Sequence, residues 1–310
     1  MSKKIIFMGT PMFAVPILKS LYQNGFPVSV VYTQPPQRSH RGQKFNKSPI
    51  QNIAETLNIN TRTPERLKDN KEELDYLKKL DADLAIVVAY GQIIPKELLE
   101  LTKKGFINVH GSILPKWRGA APIQRSIMNL DKETGITIMQ IVPKLDAGPV
   151  LMQSKIKISK ETSYEKLSIE MSKLGAKLIL DSLNLIEKDQ ANFIAQNDSE
   201  ATYAKKISKA ESKIKWNLEA KIIIAKINAL NPNPGSWFEL NGSRIKIIKA
   251  VEVEGRGLPG EVLNNYLTIA CSKNAVQILE LQKEGKNIMT AVEFLKGNKL
   301  KLGLNINTNV

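Results

Sequence analysis

The sequence predicts an α/β protein with two domains, the first built on a doubly wound, mainly parallel, Rossmann-like sheet and the second on a small β-barrel. Three observations support this fold class. The 310 residues exceed the roughly 100–200 typical of one domain. Strand and helix patterns alternate through the N-terminal part, as in a parallel sheet covered by helices. Short strands separated by Gly, Asn and Pro follow in the C-terminal part, as in small barrels.

The elements of the first domain follow from hydrophobic pattern. Leu84–Tyr90 is a continuous apolar run, which indicates a strand buried on both faces. Apolar residues at spacings of 4, 3 and 4 between Leu167 and Leu178 indicate an amphipathic helix. In chain order the predicted elements are strand Lys4–Gly9, helix Thr10–Asn24, strand Val28–Gln34, helices near Pro49–Leu57 and Pro64–Leu80, strands Leu84–Tyr90 and Phe106–His110, helix Pro122–Leu130, strands Gly135–Val142 and Val150–Ile158, and helix Ser163–Lys188.

A polar, Asn-containing segment from Gln190 to Lys206 is predicted to link the domains. The boundaries are therefore 1–189 for the first domain, 190–206 for the linker and 207–310 for the barrel. The barrel's predicted elements are helix Trp216–Leu230, ended by Asn231-Pro232, and strands Trp237–Leu240, Arg244–Ala250, Gly260–Leu263, Leu267–Ala270 and Ala275–Gln282.

Composition limits the classes of protein that fit. One cysteine, Cys271, excludes a disulfide framework and favours a reducing compartment. One cysteine and two histidines leave little material for a zinc site, so no metal is expected. Lacking a long apolar run or a signal segment, the chain is expected to be cytoplasmic and free of membrane contact. No pattern suggests a dimer seam, so we expect a monomer.

The net charge of +15 predicts an anionic partner such as nucleic acid. An alternative is a compositional bias, because Lys, Asn and Ile are frequent throughout. Residues 201–310 hold 17 Lys and Arg against 9 Glu and no Asp, whereas residues 1–200 hold 28 against 21. The second domain is thus more basic per residue and is predicted to contact a polyanion.

The strongest chemical signal is F-I-N-V-H-G-S-I-L-P-K-W-R-G-A-A-P, starting at Phe106. Asn108 and His110 lie two apart, so on a strand their side chains share one face. The strand then breaks, which places both at a carboxyl end, where ligands bind in open α/β sheets. An amide donor and an imidazole at one point suit a developing oxyanion. A buried histidine that only caps a loop is the alternative.

Asp146 lies in K-L-D-A-G-P, which joins two predicted strands. Asp-x-Gly is also an ordinary turn. Its position after an apolar strand brings the carboxylate towards the sheet end that holds His110, where it would orient the imidazole. Together the three residues form a trio without a protein nucleophile, which suits direct transfer between two bound substrates.

The sequence lacks the motifs of dinucleotide-binding folds, of phosphate-binding loops and of nucleophile elbows.

Pro35–Ser48 is a 14-residue connection with four basic residues and no acid. Connections of this length are usually functional or disordered. A flexible solvated tip is one interpretation. A phosphate-gripping loop is the other, with Phe45 available to stack or pack; its candidate RNA-binding residues are Arg38, Arg41 and Lys44.

With these motifs in view, the chain resembles the methionyl-tRNA formyltransferase family over nearly its whole length. N-x-H-x-S-[IL]-L-P-x-W-R-G-A-A-P and D-A-G-P are the most specific motifs. Further matches are G-T-P-x-F-A from Gly9, T-Q-P from Thr33, the A-Y-G segment within Val88–Ile94, and Ala201–Ile207, Asn231–Gly235 and Gln282–Met289 in the C-terminal domain. Departures are Pro36-Gln37-Arg38 where the family has D-R-P, His40 for a small residue, Gln92 for an aliphatic residue beside the folate pocket, Lys215 for an acid and Asn228 for Arg.

The resemblance implies a formyltransferase-type N-terminal fold and an OB-like C-terminal barrel. It also implies transfer of the formyl group of 10-formyltetrahydrofolate to the α-amine of methionyl initiator tRNA. Carried over by position, the catalytic residues are Asn108, His110 and Asp146, and the folate-binding residues are Ser112, Ile113, Leu114 and Pro115. The loop around Arg41 would enter the acceptor stem, and the basic barrel would hold the outer surface of the tRNA.

Other formyltransferases share such a catalytic half, so a sugar-nucleotide amine is an alternative acceptor. The basic loop and basic C-terminal domain favour tRNA, because a small acceptor would not need them. A tRNA-binding protein with a decayed folate site is a third possibility, against which the intact Asn108, His110 and Asp146 argue.

Overall fold

The computed structural model describes residues 4–39 and 44–307. Within them the chain forms two compact units. The first comprises the part up to Pro122, Thr134–Ile156 and Ser168–Ala204; the second comprises Ile123–Glu133, Lys157–Leu167 and the part from Lys205 onward. The segment predicted as a linker thus contributes residues up to Ala204 to the first unit.

The strands of the first unit are β1 Ile5–Gly9, β2 Val28–Tyr32, β3 Gln37–Ser39, β4 Lys44–Asn46, β5 Thr61–Arg62, β6 Leu84–Val88, β7 Phe106–His110, β8 Arg118–Gly119, β9 Glu133–Gln140, β10 Val150–Lys157 and β11 Tyr203–Ala204. Seven of them form one sheet, in the order β10-β9-β7-β6-β1-β2-β5. β1 pairs in parallel with β2 and β6, and β6 with β7, whereas β7 and β9 are antiparallel. The predicted mainly parallel, Rossmann-like sheet is confirmed.

Helices alternate with strands along much of the chain, and capping side chains mark the start of two of the helices in the first unit. The Ser48 hydroxyl accepts a hydrogen bond from the Gln51 amide, and Asn70 accepts one from the Glu73 amide, as helix N-caps do. The helices are α1 Val15–Gln23, preceded by a 3₁₀ turn at Met12–Ala14, then α2 Pro49–Thr56, α3 Lys71–Leu80, α4 Lys96–Leu99, α5 Pro122–Met128 and α6 Tyr164–Glu187. The helix predicted over Pro64–Leu80 is therefore shorter, because Asn70 caps it.

The second unit contains α7 Ala220–Leu230, β12 Ser236–Leu240, β13 Ser243–Val253, β14 Val262–Asn264, β15 Thr268–Ala270, β16 Ala275–Lys283, β17 Ile288–Thr290 and α8 Ala291–Gly297. Its strands form an antiparallel sheet in the order β12-β13-β16-β15-β14, with β17 also paired to β16. This sheet agrees with the predicted OB-like domain, but the barrel is open, since no pairing among the described residues joins β12 to β14.

The core of the second unit explains one wrong boundary. Trp216 was predicted to begin the helix, which instead starts at Ala220. The indole is buried and packs edge-on against Phe238, with ring centroids 5.8 Å apart. Its apolar character thus reflects burial ahead of α7 rather than a turn of helix.

Candidate active site

β7 carries two of the predicted site residues on one face, next to β6 and β9 at the centre of the sheet. Asn108 pairs with Val87 of β6 and with Met139 of β9, and His110 pairs with Thr137. β7 ends at His110, so both polar side chains lie at its carboxyl end. The imidazole is 5% exposed, which shields it from bulk water.

The hydrogen bond of the His110 ring determines which nitrogen is available for chemistry. Nε2 lies 2.9 Å from the Trp117 carbonyl oxygen. A carbonyl oxygen only accepts, so Nε2 carries the hydrogen and donates it. The neutral imidazole then has its lone pair on Nδ1, which faces Asp146 Oδ2 at 3.8 Å. Proton exchange by this histidine is therefore directed through Nδ1.

Asp146 reaches the same point from the turn between β9 and β10. Its Oδ2 accepts a 2.7 Å hydrogen bond from the Gly119 amide, and its Oδ1 lies 3.5 Å from Asn108 Nδ2. The residue has φ of 45°, in the left-handed region that L-residues seldom adopt. A backbone conformation of this kind needs support from its surroundings.

An amide donor, an imidazole nitrogen and a carboxylate thus converge at the carboxyl end of the sheet. Such a group can hold a negative oxygen by hydrogen bonds and take up a proton nearby. Asn108 and His110 lie on β7, and Asp146 lies on a later turn, 38 positions after Asn108; these are the three residues predicted to meet here.

The predicted folate-binding segment, Ser112–Pro115, follows β7 and is hydrogen-bonded by side chains of β9 and β10. The buried Thr137 hydroxyl donates to the Ser112 carbonyl at 2.7 Å and accepts from the Leu114 amide at 3.1 Å. Gln153 Nε2 donates to the Leu114 carbonyl at 2.8 Å and to Thr137 Oγ1 at 3.0 Å. These hydrogen bonds hold the segment in a defined shape.

Side chains of this segment alternate between buried and accessible. Ser112 and Leu114 are buried, and the Ser112 hydroxyl donates inward to the Lys116 carbonyl at 2.6 Å. Ile113 and Pro115 are partly exposed. Any side-chain contact with a ligand therefore falls to Ile113 and Pro115.

Two of the three predicted RNA-binding residues, Arg38 and Lys44, lie on short paired strands. β3 and β4 pair antiparallel, with Arg38 opposite Phe45 and Ser39 opposite Lys44. Arg41 lies outside the described residues. Part of the connection Pro35–Ser48, read from sequence as a loop, is therefore regular strand, because paired backbones satisfy their hydrogen bonds locally.

Three residues at the site were missed by the sequence reasoning. Thr137 and Gln153 support the Ser112–Pro115 segment, and Gln196, within the predicted linker, contacts the Asp146 turn. None belongs to a charged or histidine-containing motif, so only their contacts distinguish them.

The departures from the family pattern have local structural partners. Gln92 accepts a hydrogen bond from the Leu67 amide and donates to the Pro64 carbonyl, so it fastens residues 64–67. Asn228 donates to the Lys160 carbonyl. Burial, assisted by the nearby Lys215 charge, lowers the pKa of Lys226.

Residues 4–39 and 44–307 contain neither a metal-site arrangement nor a membrane-spanning helix. No cluster of three or more His, Cys, Asp or Glu side chains in these ranges has the arrangement of a metal site. No helix there combines the length and apolar character needed to cross a bilayer.

Comparison with known families identifies the class of protein. Residues 3–183 match the formyl transferase domain, and residues 206–299 match the formyl transferase C-terminal domain. The fold and the site thus define a formyl transferase. The chain is 55% identical to the methionyl-tRNA formyltransferase of Pelagibacter ubique and 43% identical to that of Paramagnetospirillum magneticum. These similarities cover 100% of both chains in the first case, and 97% of this chain and 98% of the relative in the second. The chain belongs to the methionyl-tRNA formyltransferase family.

Solved structures with low sequence identity share the fold. The N-formyltransferase of Helicobacter canadensis, in complex with folinic acid and dTDP-3-aminofucose, matches with a TM-score of 0.67 and 22% identity, over 91% of this chain and 100% of that one. HypX of Aquifex aeolicus, in complex with tetrahydrofolic acid, matches with a TM-score of 0.64 and 17% identity, over 95% of this chain. The chain spans only 47% of HypX.

Proposed function

We propose that this protein is an enzyme that transfers the formyl group of 10-formyltetrahydrofolate to the α-amino group of methionyl initiator tRNA, giving the N-formylmethionyl-tRNA used in translation initiation. The observation that carries the proposal is the convergence of Asn108, His110 Nδ1 and Asp146 at the carboxyl end of β7. Full-length similarity to methionyl-tRNA formyltransferases supports the choice of acceptor.

The reaction places a negative charge where this chain has donors. The neutral α-amine attacks the formyl carbon, and the carbonyl π electrons move to its oxygen. Asn108 Nδ2 donates one hydrogen bond to the oxyanion, and His110, when protonated on Nδ1, donates a charge-assisted one. When the tetrahedral intermediate collapses, the bond from carbon to N10 breaks. The amine loses a proton, and N10 of tetrahydrofolate gains one.

Asp146 has two roles in this proposal. It stabilises the positive charge of protonated His110 across the 3.8 Å gap, and it relays the proton released by the amine. The Gly119 amide keeps Oδ2 directed at the site. A fixed carboxylate has the correct geometry before the reaction begins, which is how preorganised sites lower a barrier.

Folate is assigned as the formyl donor on chemical and structural grounds. The Ser112–Pro115 segment lies directly after His110 and is held rigid by Thr137 and Gln153. Within it, Ile113 and Pro115 offer apolar contacts to the folate, and Ser112 and Leu114 contribute through the backbone. Two proteins of this fold bind folates, since HypX holds tetrahydrofolic acid and the Helicobacter canadensis enzyme holds folinic acid.

The tRNA is assigned to the basic surfaces. Residues 201–310 carry 17 Lys and Arg against 9 acidic residues, and cations of this kind bind the phosphate backbone without reading sequence. Arg38, Arg41 and Lys44 would contact the acceptor end. Use of a charged tRNA and the single cysteine support a cytoplasmic location, and we propose that the enzyme acts there as a monomer.

A sugar-nucleotide amine is the second candidate acceptor. The Helicobacter canadensis structure of similar fold contains dTDP-3-aminofucose. At 22% identity that likeness concerns the fold, whereas the 55% relative is a methionyl-tRNA formyltransferase over its full length. An acceptor assay separates the two.

The experiment compares formylation of methionyl initiator tRNA, methionyl elongator tRNA and a sugar-nucleotide amine. We expect activity on the initiator tRNA only. Losing one oxyanion donor typically adds about 2.7–4 kcal/mol to a barrier, so Asn108→Ala and His110→Ala should each lower kcat at least about a hundredfold.

The control is Asn184→Ala, an exposed asparagine on α6, which should retain wild-type kcat. Affinity for tRNA, measured by filter binding, should stay unchanged in all three variants. Preferred formylation of the sugar nucleotide, or wild-type turnover by Asn108→Ala, contradicts the proposal.

A further inference from the structure

Gln196 lies in the segment predicted as a linker, but its side chain makes four hydrogen bonds beside the Asp146 turn. Its side-chain nitrogen donates to the Asp146 carbonyl at 2.9 Å and to the Gly148 carbonyl at 2.7 Å. Its oxygen accepts from Arg118 Nε at 3.1 Å and from Arg118 Nη2 at 2.8 Å. Both amide hydrogens and both lone pairs are thus used, so the amide orientation is determined by its partners.

The turn that Gln196 contacts needs such support. Asp146 has φ of 45°, a sparsely populated conformation that a non-glycine residue keeps only where its surroundings enforce it. A Cβ at Gly148 would overlap the Gln140 carbonyl oxygen, so the turn lies close against the end of β9. Gln196 adds hydrogen bonds to the two carbonyls that flank Ala147.

Arg118 connects this support to the rest of the site. Arg118 is 1% exposed, and its guanidinium donates to Asp198 as well as to Gln196. Its chain neighbours touch the catalytic candidates directly, because the Trp117 carbonyl accepts from His110 and the Gly119 amide donates to Asp146. A shift of Arg118 would therefore move the supports of both side chains.

We infer that Gln196, held by Arg118, is a positioning residue for the formyl transfer, because it fixes the turn from which the Asp146 carboxylate meets His110 Nδ1. The inference rests on the proposed function. It assigns Gln196 no contact with either substrate. Its loss should therefore slow turnover without weakening binding.

Two substitutions distinguish a positioning role of Gln196 from a role limited to accepting hydrogen bonds from Arg118. Gln196→Ala removes both sets of hydrogen bonds. Gln196→Glu keeps an acceptor, now charged, for Arg118, but it replaces the donors to the Asp146 and Gly148 carbonyls with an oxygen that repels them. We expect each to lower kcat about tenfold, in the range seen when supporting residues are removed, while KM for formylfolate and for tRNA stays within about twofold.

Gln190→Ala, at an exposed glutamine earlier in the same segment, is the matched control and should behave as wild type. A second measurement uses ring ¹⁵N signals of histidine, of which the chain has only two. The His110 signals should move at fixed pH in both Gln196 variants, and the His40 signals, assigned with His40→Gln, should not.

Wild-type kcat and unmoved His110 signals in Gln196→Glu overturn the inference, since that variant retains the Arg118 contact. An effect confined to KM overturns it as well. Should Gln196→Ala fail to fold, Gln196→Glu decides alone. Failure of the proposed function is distinguishable, because the wild-type enzyme itself would then not formylate initiator tRNA, while the NMR readout would still report on positioning.

Discussion

Thr137→Val is the substitution whose effect is best defined by the structure. The hydroxyl of this fully buried residue bonds the Ser112 carbonyl, the Leu114 amide and Gln153. Valine has nearly the same shape but no hydroxyl. It leaves one buried carbonyl and one buried amide without this partner, whereas Gln153 keeps the Leu114 carbonyl.

The magnitude follows from those two orphaned groups. Leaving a buried donor or acceptor unsatisfied costs about 1–3 kcal/mol, and the added methyl group returns about 0.8 kcal/mol. The two groups together cost about 2–6 kcal/mol, so with the methyl group included we expect the free energy of unfolding to fall by about 1–5 kcal/mol. Because the Ser112–Pro115 segment loses its support, KM for formylfolate should rise more than kcat falls.

The matched control lies on the same strand. Thr134 is also buried, and its hydroxyl has no hydrogen-bond partner among the described residues. Thr134→Val should thus be neutral or slightly stabilising. Urea unfolding followed by circular dichroism, with formylfolate kinetics on the same preparations, measures both. Equal unfolding midpoints for the two variants refute the reasoning.

Two further predictions concern titratable groups. Hydrogen bonds from Arg125 lower the pKa of Glu211 from 4.5 to about 2. The ion pair therefore contributes stability above pH about 4.5, and this contribution is lost as the pH falls towards 2. In Glu211→Gln the urea unfolding midpoint should fall less steeply across this pH range than in the wild type. An equally steep fall in both proteins contradicts the prediction. Burial raises the pKa of Cys271 to about 12, and only the thiolate form of a cysteine reacts with iodoacetamide. At pH 8 we therefore expect the folded protein to be alkylated much more slowly than glutathione. In urea the rate should become that of an ordinary thiol, and intact-mass spectra measure both rates. Equal rates for the folded protein and glutathione would refute the assignment of a buried thiol.

Local sequence was enough for much of the fold. The apolar run at Leu84–Tyr90 predicted a buried strand, and the structure has β6 at Leu84–Val88 with all five residues buried. A predicted helix boundary was wrong at Trp216, because this apolar side chain packs on Phe238 ahead of the helix and is not part of it. β8 and β11 were invisible from sequence, because each has two residues and exists only by pairing with the other.

The sequence by itself determined the residue types of the candidate site and its position at a strand end. The motif N-x-H, followed directly by residues that end the strand, indicates both. Only the tertiary structure decided how those residues face one another. The histidine proton is placed on Nε2 by the Trp117 carbonyl, and the Asp146 turn is held by Gln196, 50 positions away. Hydrogen bonds of this kind depend on distances between atoms remote along the chain, and hydrophobic periodicity reports only which side of each element is buried.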